Sequence, residues 1–294
     1  MNLDQLRQRL RPRSGGPLPK DALIDKPDVR DFPWKYRECY RRIERNHLHA
    51  LMTSDRRRHH ALALKVANCT PKQPCGEVVI CWRCKVKAGL AEADVMTQAF
   101  MAVPRRRISA ITIILAVIDQ EDIAELRQQI KVFLSQWKAV CERWPGCHWR
   151  GRFELDSLTG HPDQKVGRYV QETLKGLGYT PQRDDYGSLL LHTHILLAHP
   201  GVPRKRVGDS LGVVYPHSRQ VKVTPLRKTQ TVDEALSRFA TYMFKLKPPF
   251  FALAGRGSRT CRPRHSDVLM DYIRLQRRFS GSDLLIHGMT SRRS

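Results

Sequence analysis

The chain lacks any apolar run of membrane-spanning length, and its N-terminus lacks the apolar centre of a secretory signal. These absences predict a cytoplasmic protein with no membrane partner. Acidic residues are scarce: 28 Asp and Glu stand against 52 Lys and Arg, giving a formal net charge of +24 and a pI near 10.2. Such an excess points to a polyanionic partner, and nucleic acid is the default. A merely solubilising surface would be served as well by acidic charge. The basic residues are spread out, seven against one acidic residue over 200–230 and nine Arg against three Asp over 251–294. A spread of this kind suits a long backbone track better than one small anion. Walker-type glycine-rich phosphate loops and internal repeats are absent as well.

The most informative stretch is Leu189-Leu190-Leu191-His192-Thr193-His194-Ile195-Leu196-Leu197-Ala198, bounded by Gly187-Ser188 and Pro200-Gly201. It reads as a buried strand. Alternation puts His192 and His194 on one face, where two imidazoles can grip one divalent metal. The alternative is a pair of hydrogen-bonded core histidines. A second strand is expected over His148–Asp156, with Trp149, Phe153 and Leu155 on one face and Arg152, Glu154 and Asp156 on the other. If the two strands pair, Glu154 completes a two-nitrogen, one-oxygen site suited to Mg²⁺ or Mn²⁺. Asp156 is then a fourth ligand or a hydrogen-bond partner of one.

Eight cysteines in a reducing compartment read as metal ligands or buried thiols rather than disulfides. Cys69, Cys75, Cys81 and Cys84 cluster, and the Cys81-Trp82-Arg83-Cys84 knuckle can chelate a structural Zn²⁺. A redox pair is the competitor, but no βαβ pattern surrounds it. Cys141, Cys147 and His148 suggest a smaller site or simple burial. His47-Leu48-His49 falls in a helical stretch, where residues two apart diverge, and is discounted as a ligand pair. His59 or His60 can stand in for a cysteine.

Four segments are expected. Residues 1–34, with alternating Arg7, Arg9, Arg11 and Arg13, form a basic flexible arm. Residues 35–104 form a helical and Cys-rich zinc-binding segment: a helix or helix pair from Tyr36 to about Leu64, the cysteines, and a helix from about Lys85 to Met101. Residues 105–249 form the main domain. It opens with the strand Ile108–Val117, then a helix capped by Asp119 with a stripe of Ile123, Leu126, Ile130, Leu134, Trp137 and Val140. After the Glu154 strand come an insertion over 157–187 with a helix from Val166 to Leu177, the His strand, a basic linker, a strand at Gln220–Val223, and a helix from Val232 to Lys247. Residues 250–294 form a basic C-terminal tail, helical around Asp267–Arg278. The order of elements predicts an α+β fold, an antiparallel sheet with covering helices.

On the last of those helices Tyr242 and Lys245 stand three residues apart on neighbouring positions of one face. A nearby ammonium and a metal-polarised phosphate would each favour attack by a tyrosine oxygen. A helical Tyr beside a snorkelling Lys is the plainer reading. A His-x-His strand followed by a Tyr-x-x-Lys helix resembles the HUH endonucleases, and more narrowly the rolling-circle replication initiators of small bacterial plasmids. The apolar first strand at Ile111-Thr112-Ile113-Ile114-Leu115, the upstream cysteines and the strand glutamate in Gly151-Arg152-Phe153-Glu154-Leu155 extend the likeness over roughly 69–247. Three departures stand out: Thr193 replaces a bulkier apolar residue, the 157–187 insertion is long, and Arg238 occupies a position where some relatives carry a catalytic Glu.

The resemblance implies a ferredoxin-like sheet and a bacterial, cytoplasmic enzyme that nicks and rejoins single-stranded or hairpin origin DNA. Tyr242 would form a 5′-phosphotyrosine and free a 3′-hydroxyl, with the metal on His192, His194 and Glu154. Lys245 would stabilise charge on the tyrosine oxygen or the phosphate. Arg204, Lys205, Arg206, Arg256 and Arg262 would track the DNA backbone, and a helicase and polymerase would be supplied separately. A relaxase or single-strand transposase shares this chemistry. A non-catalytic zinc-containing DNA-binding protein is the competitor from another class.

Overall fold

The β-branched run that opens the main domain forms β1 (Ile108–Asp119), the long inner strand around which the sheet is laid. The computed structural model describes residues 37–119, 122–159, 168–179, 188–226, 229–243, 250–252 and 284–290. It also describes residues 2, 5, 6, 270, 273–275 and 277–279. Before β1 lie the helices α1 (Arg37–Thr53), α2 (Arg57–Ala67) and α3 (Trp82–Phe100). The helix pair is therefore two separate helices, and α3 starts three residues earlier than expected because Cys81 serves as its N-cap.

After β1 the chain forms α4 (Ile123–Cys141), β2 (His148–Thr159), α5 (Arg168–Gly176) and β3 (Ser188–Ala198). It continues with α6 (Arg204–Val214), β4 (Val221–Pro225), α7 (Val232–Met243), β5 (Phe250–Ala252) and β6 (Leu285–Met289). The α+β class is as expected. The sheet runs β4-β1-β3-β2-β5, with β6 also on β2. Every pairing is antiparallel except the short β2–β5 contact, which is parallel.

One sheet face is covered by α4 and α6. Leu126, Ile130, Phe133, Trp137 and Val140 of α4 meet Ile111, Ile113, Phe153, Leu155, Leu191 and Ile195 of the strands. Each such fully buried aliphatic or aromatic side chain contributes roughly 1.5–3 kcal/mol. Leu134, expected in the α4 stripe, is 41% exposed, and Phe133 takes its place. Nor does Asp119 cap α4: it ends β1, and the Asp122 side chain accepts the Glu125 N–H at 2.7 Å. The other face is covered by α3 and α7, whose Ala93, Met96, Phe100, Leu236, Ala240 and Met243 pack with Leu196 and Ala198. The Glu92 carboxylate grips Arg150, tying α3 to β2.

Two segments depart from the sequence reading. The basic linker after β3 contains a full helix, α6, whose Val207 and Leu211 enter the main core. The segment read as a basic tail supplies β5 and β6 to the sheet. Its Leu275, Phe279 and Leu284 also join the main core, while Met270 and Ile273 join the α1–α2 core. Residues 1–34, apart from 2, 5 and 6, lie outside the described residues, as do 244–249.

Gly151 lets β2 and β3 close at the level of the histidines. A Cβ there would collide with the backbone oxygen of His194 and come within 2.9 Å of Ile195 Cα. Gly151→Ala is expected to lower stability by roughly 3 kcal/mol in urea denaturation, since backbone must move to admit it. An unchanged midpoint would mean the strands part freely there. His47 lies fully buried on α1, and burial lowers its pKa from 6.5 to about 4. Between those values the unfolded chain binds more protons, so stability falls as pH is lowered through that window. Burial lowers His59, His148 and His199 in the same direction. His47→Leu is expected to remove about 3 kcal/mol of the acid loss between pH 6.5 and 4, read as the difference from wild type in denaturant melts at each pH.

Candidate metal centre

Strand alternation sends Leu191, Thr193 and Ile195 into the α4 core and turns His192 and His194 to the opposite face. Register then supplies the carboxylate: Glu154 pairs with His192, and Arg152 pairs with His194. The two rings lie 5.0 Å apart, nearly perpendicular. Glu154 Oε2 is 3.6 Å from His192 Nε2 and 3.5 Å from His194 Nε2, and all three residues are buried. A β-bulge between Ile114 and Ala116 falls beside His192, where β1 would otherwise continue its regular ladder.

Neighbouring polar groups contact these candidate donors. Thr112 Oγ1 bonds His194 Nδ1 at 2.9 Å, which leaves Nε2 as the ligating nitrogen on the Glu154 side. Asp156 Oδ2 lies 2.9 Å from His192 Nε2, the nitrogen that also faces Glu154, so an ion held by that nitrogen would displace this hydrogen bond. Arg152 is buried on the same face. Desolvation lowers its pKa, while Glu154 and Glu92 oppose that shift. Thr193, the unexpected polar residue in this strand, is fully buried and donates its hydroxyl to the Arg152 carbonyl at 3.1 Å.

The donor set fits a divalent cation. Ligands about 2.1 Å from an octahedral ion stand about 3.0 Å apart when adjacent and about 4.2 Å apart when opposite. The 3.5 and 3.6 Å separations fall between these two values, so shifts of about half an ångström bring the donors onto one ion. The three donor atoms all fall within 4.8 Å of one another.

Helix α7 brings Tyr242 to this point. Its start is fixed by a reciprocal cap in which the Thr231 N–H donates to Glu234 Oε2 (2.8 Å) and the Glu234 N–H donates to Thr231 Oγ1 (3.2 Å). Its apolar face lies against α3, and Thr97 Oγ1 donates to Asp233 at 3.0 Å. Tyr242 is 44% exposed, and its ring centroid lies 5.1 Å from that of His194, edge to face. Lys245 lies outside the described residues, as do Arg256 and Arg262. Arg204, Lys205 and Arg206 fall on α6, across the sheet from the histidines. Sequence reading assigned no role to Thr112 and gave Lys222 only a share in the basic 200–230 stretch; Lys222 is exposed, pairs with Thr112 and so shares the His194 face. Strand parity was the available signal, but it needed the register of β1 and β4.

The cysteines form a second donor set. Cys69 follows the C-cap of α2, Cys75 precedes a turn at Gly76 (φ 77°), and Cys81 and Cys84 sit at the start of α3. Cys84 Sγ lies 3.7 Å from Cys69 Sγ and 3.6 Å from Cys75 Sγ. Tetrahedral thiolates at about 2.3 Å from a metal stand about 3.8 Å apart. The four can therefore hold a metal such as zinc. Without it, burial pushes the Cys75 thiol up to about 12 and raises Cys81 further. In Cys69 burial is outweighed by hydrogen bonds from the neighbouring cysteines, which lower the pKa. His59 bonds Ser54 at 2.6 Å, outside this cluster. Cys141 and Cys147 are buried in the main core with raised pKa values, and neither belongs to a metal-ligand group among the described residues.

No family model, curated protein or solved structure matches this chain.

Since each thiol must lose its proton to bind, the cysteine-held metal is expected to be released more readily as pH falls. Stripping it with a strong chelator near neutral pH should lower the melting temperature by roughly 10 °C or more. Melting that is unaffected by the chelator, together with no bound metal in elemental analysis, would rule out a structural ion.

Proposed function

We propose that the protein is a metal-dependent single-stranded DNA nicking and joining enzyme of the HUH endonuclease kind, initiating rolling-circle replication. The observation that carries this reading is the approach of a half-exposed Tyr242 ring to His194, beside two histidines and a glutamate with metal-ligand spacing. A net charge of +24 supports a DNA substrate.

His192, His194 and Glu154 would hold Mg²⁺ or Mn²⁺, and the ion when bound supplies electrophilic polarisation of the scissile phosphate. Tyr242 Oη attacks phosphorus in line. The Oη–P bond forms as the bond from phosphorus to the 3′ oxygen breaks, giving a 5′-phosphotyrosine. The phenolic proton is lost, and the departing oxygen takes one up to become a 3′-hydroxyl. Attack by a 3′-hydroxyl on the phosphotyrosine reverses these changes and joins strands. Thr112, on Nδ1, keeps the His194 imidazole turned with Nε2 toward Glu154, and Asp156 would give up His192 Nε2 to the ion. Lys245, three residues past Tyr242, stabilises charge on the tyrosine oxygen or the phosphate. The cysteine-held ion in this reading is Zn²⁺ and takes no part in the chemistry.

Incubation with labelled single-stranded oligonucleotides drawn from the DNA around its own coding sequence tests this. Wild type with Mn²⁺ is expected to give a denaturation-resistant protein–DNA adduct, absent with EDTA. Tyr242→Phe should lower adduct formation at least about a thousandfold, and His192→Ala should lose it. Metal-dependent cleavage that survives in Tyr242→Phe would overturn the assignment of the nucleophile. Salt-sensitive binding with no cleavage of any oligonucleotide would favour the zinc-containing DNA binder.

A further inference from the structure

A cavity of about 600 Å³ opens between α6 and β4, on the sheet face opposite the histidines. Its floor includes Val221 and Val223, whereas Lys222 between them turns to the His194 face. Its polar wall is Arg204, Lys205, Asp209, His217 and Arg219. Cations predominate, and the one carboxylate is engaged by Lys205 at 2.8 Å.

Arg204 is held in place by a buried relay. His199 Nδ1 donates to the Val202 carbonyl at 2.7 Å, so its Nε2 accepts the Ser109 hydroxyl proton at 2.8 Å. Ser109 Oγ in turn accepts from Arg204 Nε at 3.0 Å. Ser109 and His199 are both fully buried, so this Ser–His pair positions Arg204 and touches no ligand. Across the cavity Arg219 has φ 60°, a left-handed conformation that glycine would adopt without strain. This turn places Arg219 on the cavity wall. The turn carrying it is anchored by Thr173 Oγ1, which donates to the Ser218 carbonyl at 3.0 Å.

We propose that this groove binds the backbone phosphates of single-stranded DNA, as a second contact remote from the reacting phosphate. The proposal rests on the reading above that single-stranded DNA is the substrate. A groove of this size encloses a small ligand or a short run of backbone. A duplex is too broad to enter it and would meet only its rim. Because β4 is the edge strand, one flexible strand can pass round it, with Lys222 on the way to the metal centre.

Two variants probe the groove without touching the metal centre. Gly212 lies on its wall, and a Cβ there meets nothing within 4 Å, so Gly212→Leu starts in open space and extends toward the groove. Arg219→Gly removes a cation while suiting the backbone. Binding of fluorescein-labelled oligothymidylate is measured by anisotropy in EDTA across a salt series, so that cleavage plays no part. Each variant is expected to bind roughly fivefold or more weakly, with unchanged melting temperature. Arg219→Gly should also reduce the salt slope by about one phosphate contact. Folded groove variants with wild-type affinity would overturn the proposal, and so would losses confined to duplex DNA. Absence of the tyrosine adduct with groove-dependent binding intact would sink the nicking reading and leave this one standing.

Discussion

The candidate site depends on the register between β2 and β3. Glu154 faces His192 across an antiparallel pair, and a slip of one residue would send Glu154 to the α4 core and bring Phe153 into its place. Register is held from both sides. On the core face, Phe153, Leu155, Leu191 and Ile195 are almost wholly buried and cannot be turned outward cheaply. At Gly151 the two backbones approach so closely that only a residue without a side chain fits. Apolar burial on one face thus fixes polar geometry on the other.

The same logic extends through α3. Its first turn carries two of the four converging cysteines, its middle holds Arg150 of β2 through Glu92, and its last turns pack against the helix that bears Tyr242. One helix therefore links the cysteine cluster, the glutamate strand and the tyrosine helix. The connection between them is side-chain packing and the Glu92–Arg150 ion pair.

The histidine strand, the glutamate strand and the α+β class were legible because each rests on local alternation with one face apolar. Helix α6 was not: Gly208 and Gly212 lower its helix propensity, and its basic first turn reads as linker, while Val207 and Leu211 alone carry the buried face. β6 was missed for a different reason. Five residues of Leu285-Ile286-His287-Gly288-Met289 become a strand only because β2 offers an open edge, a partner more than a hundred residues away. Leu134 and Phe133 were exchanged because both lie within the tolerance of a helical stripe, and only the facing Phe153 and Tyr215 rings choose between them. Parity alone could not single out Thr112, since its role exists only once β1 lies beside β3.

The late arrival of β6 has a consequence for synthesis. β2 carries Glu154, yet the strand that covers the outer edge of its first half is made of residues 285–289. While the chain is being translated, that edge stays open until residues 285–289 have left the ribosome, exposing unpaired backbone that invites association with other nascent strands. The half-sheet bearing the candidate ligands is consequently completed more than ninety residues after His192 and His194 are made, and a chain cut short before residue 285 would hold Glu154, His192 and His194 without the strand that covers the edge of β2.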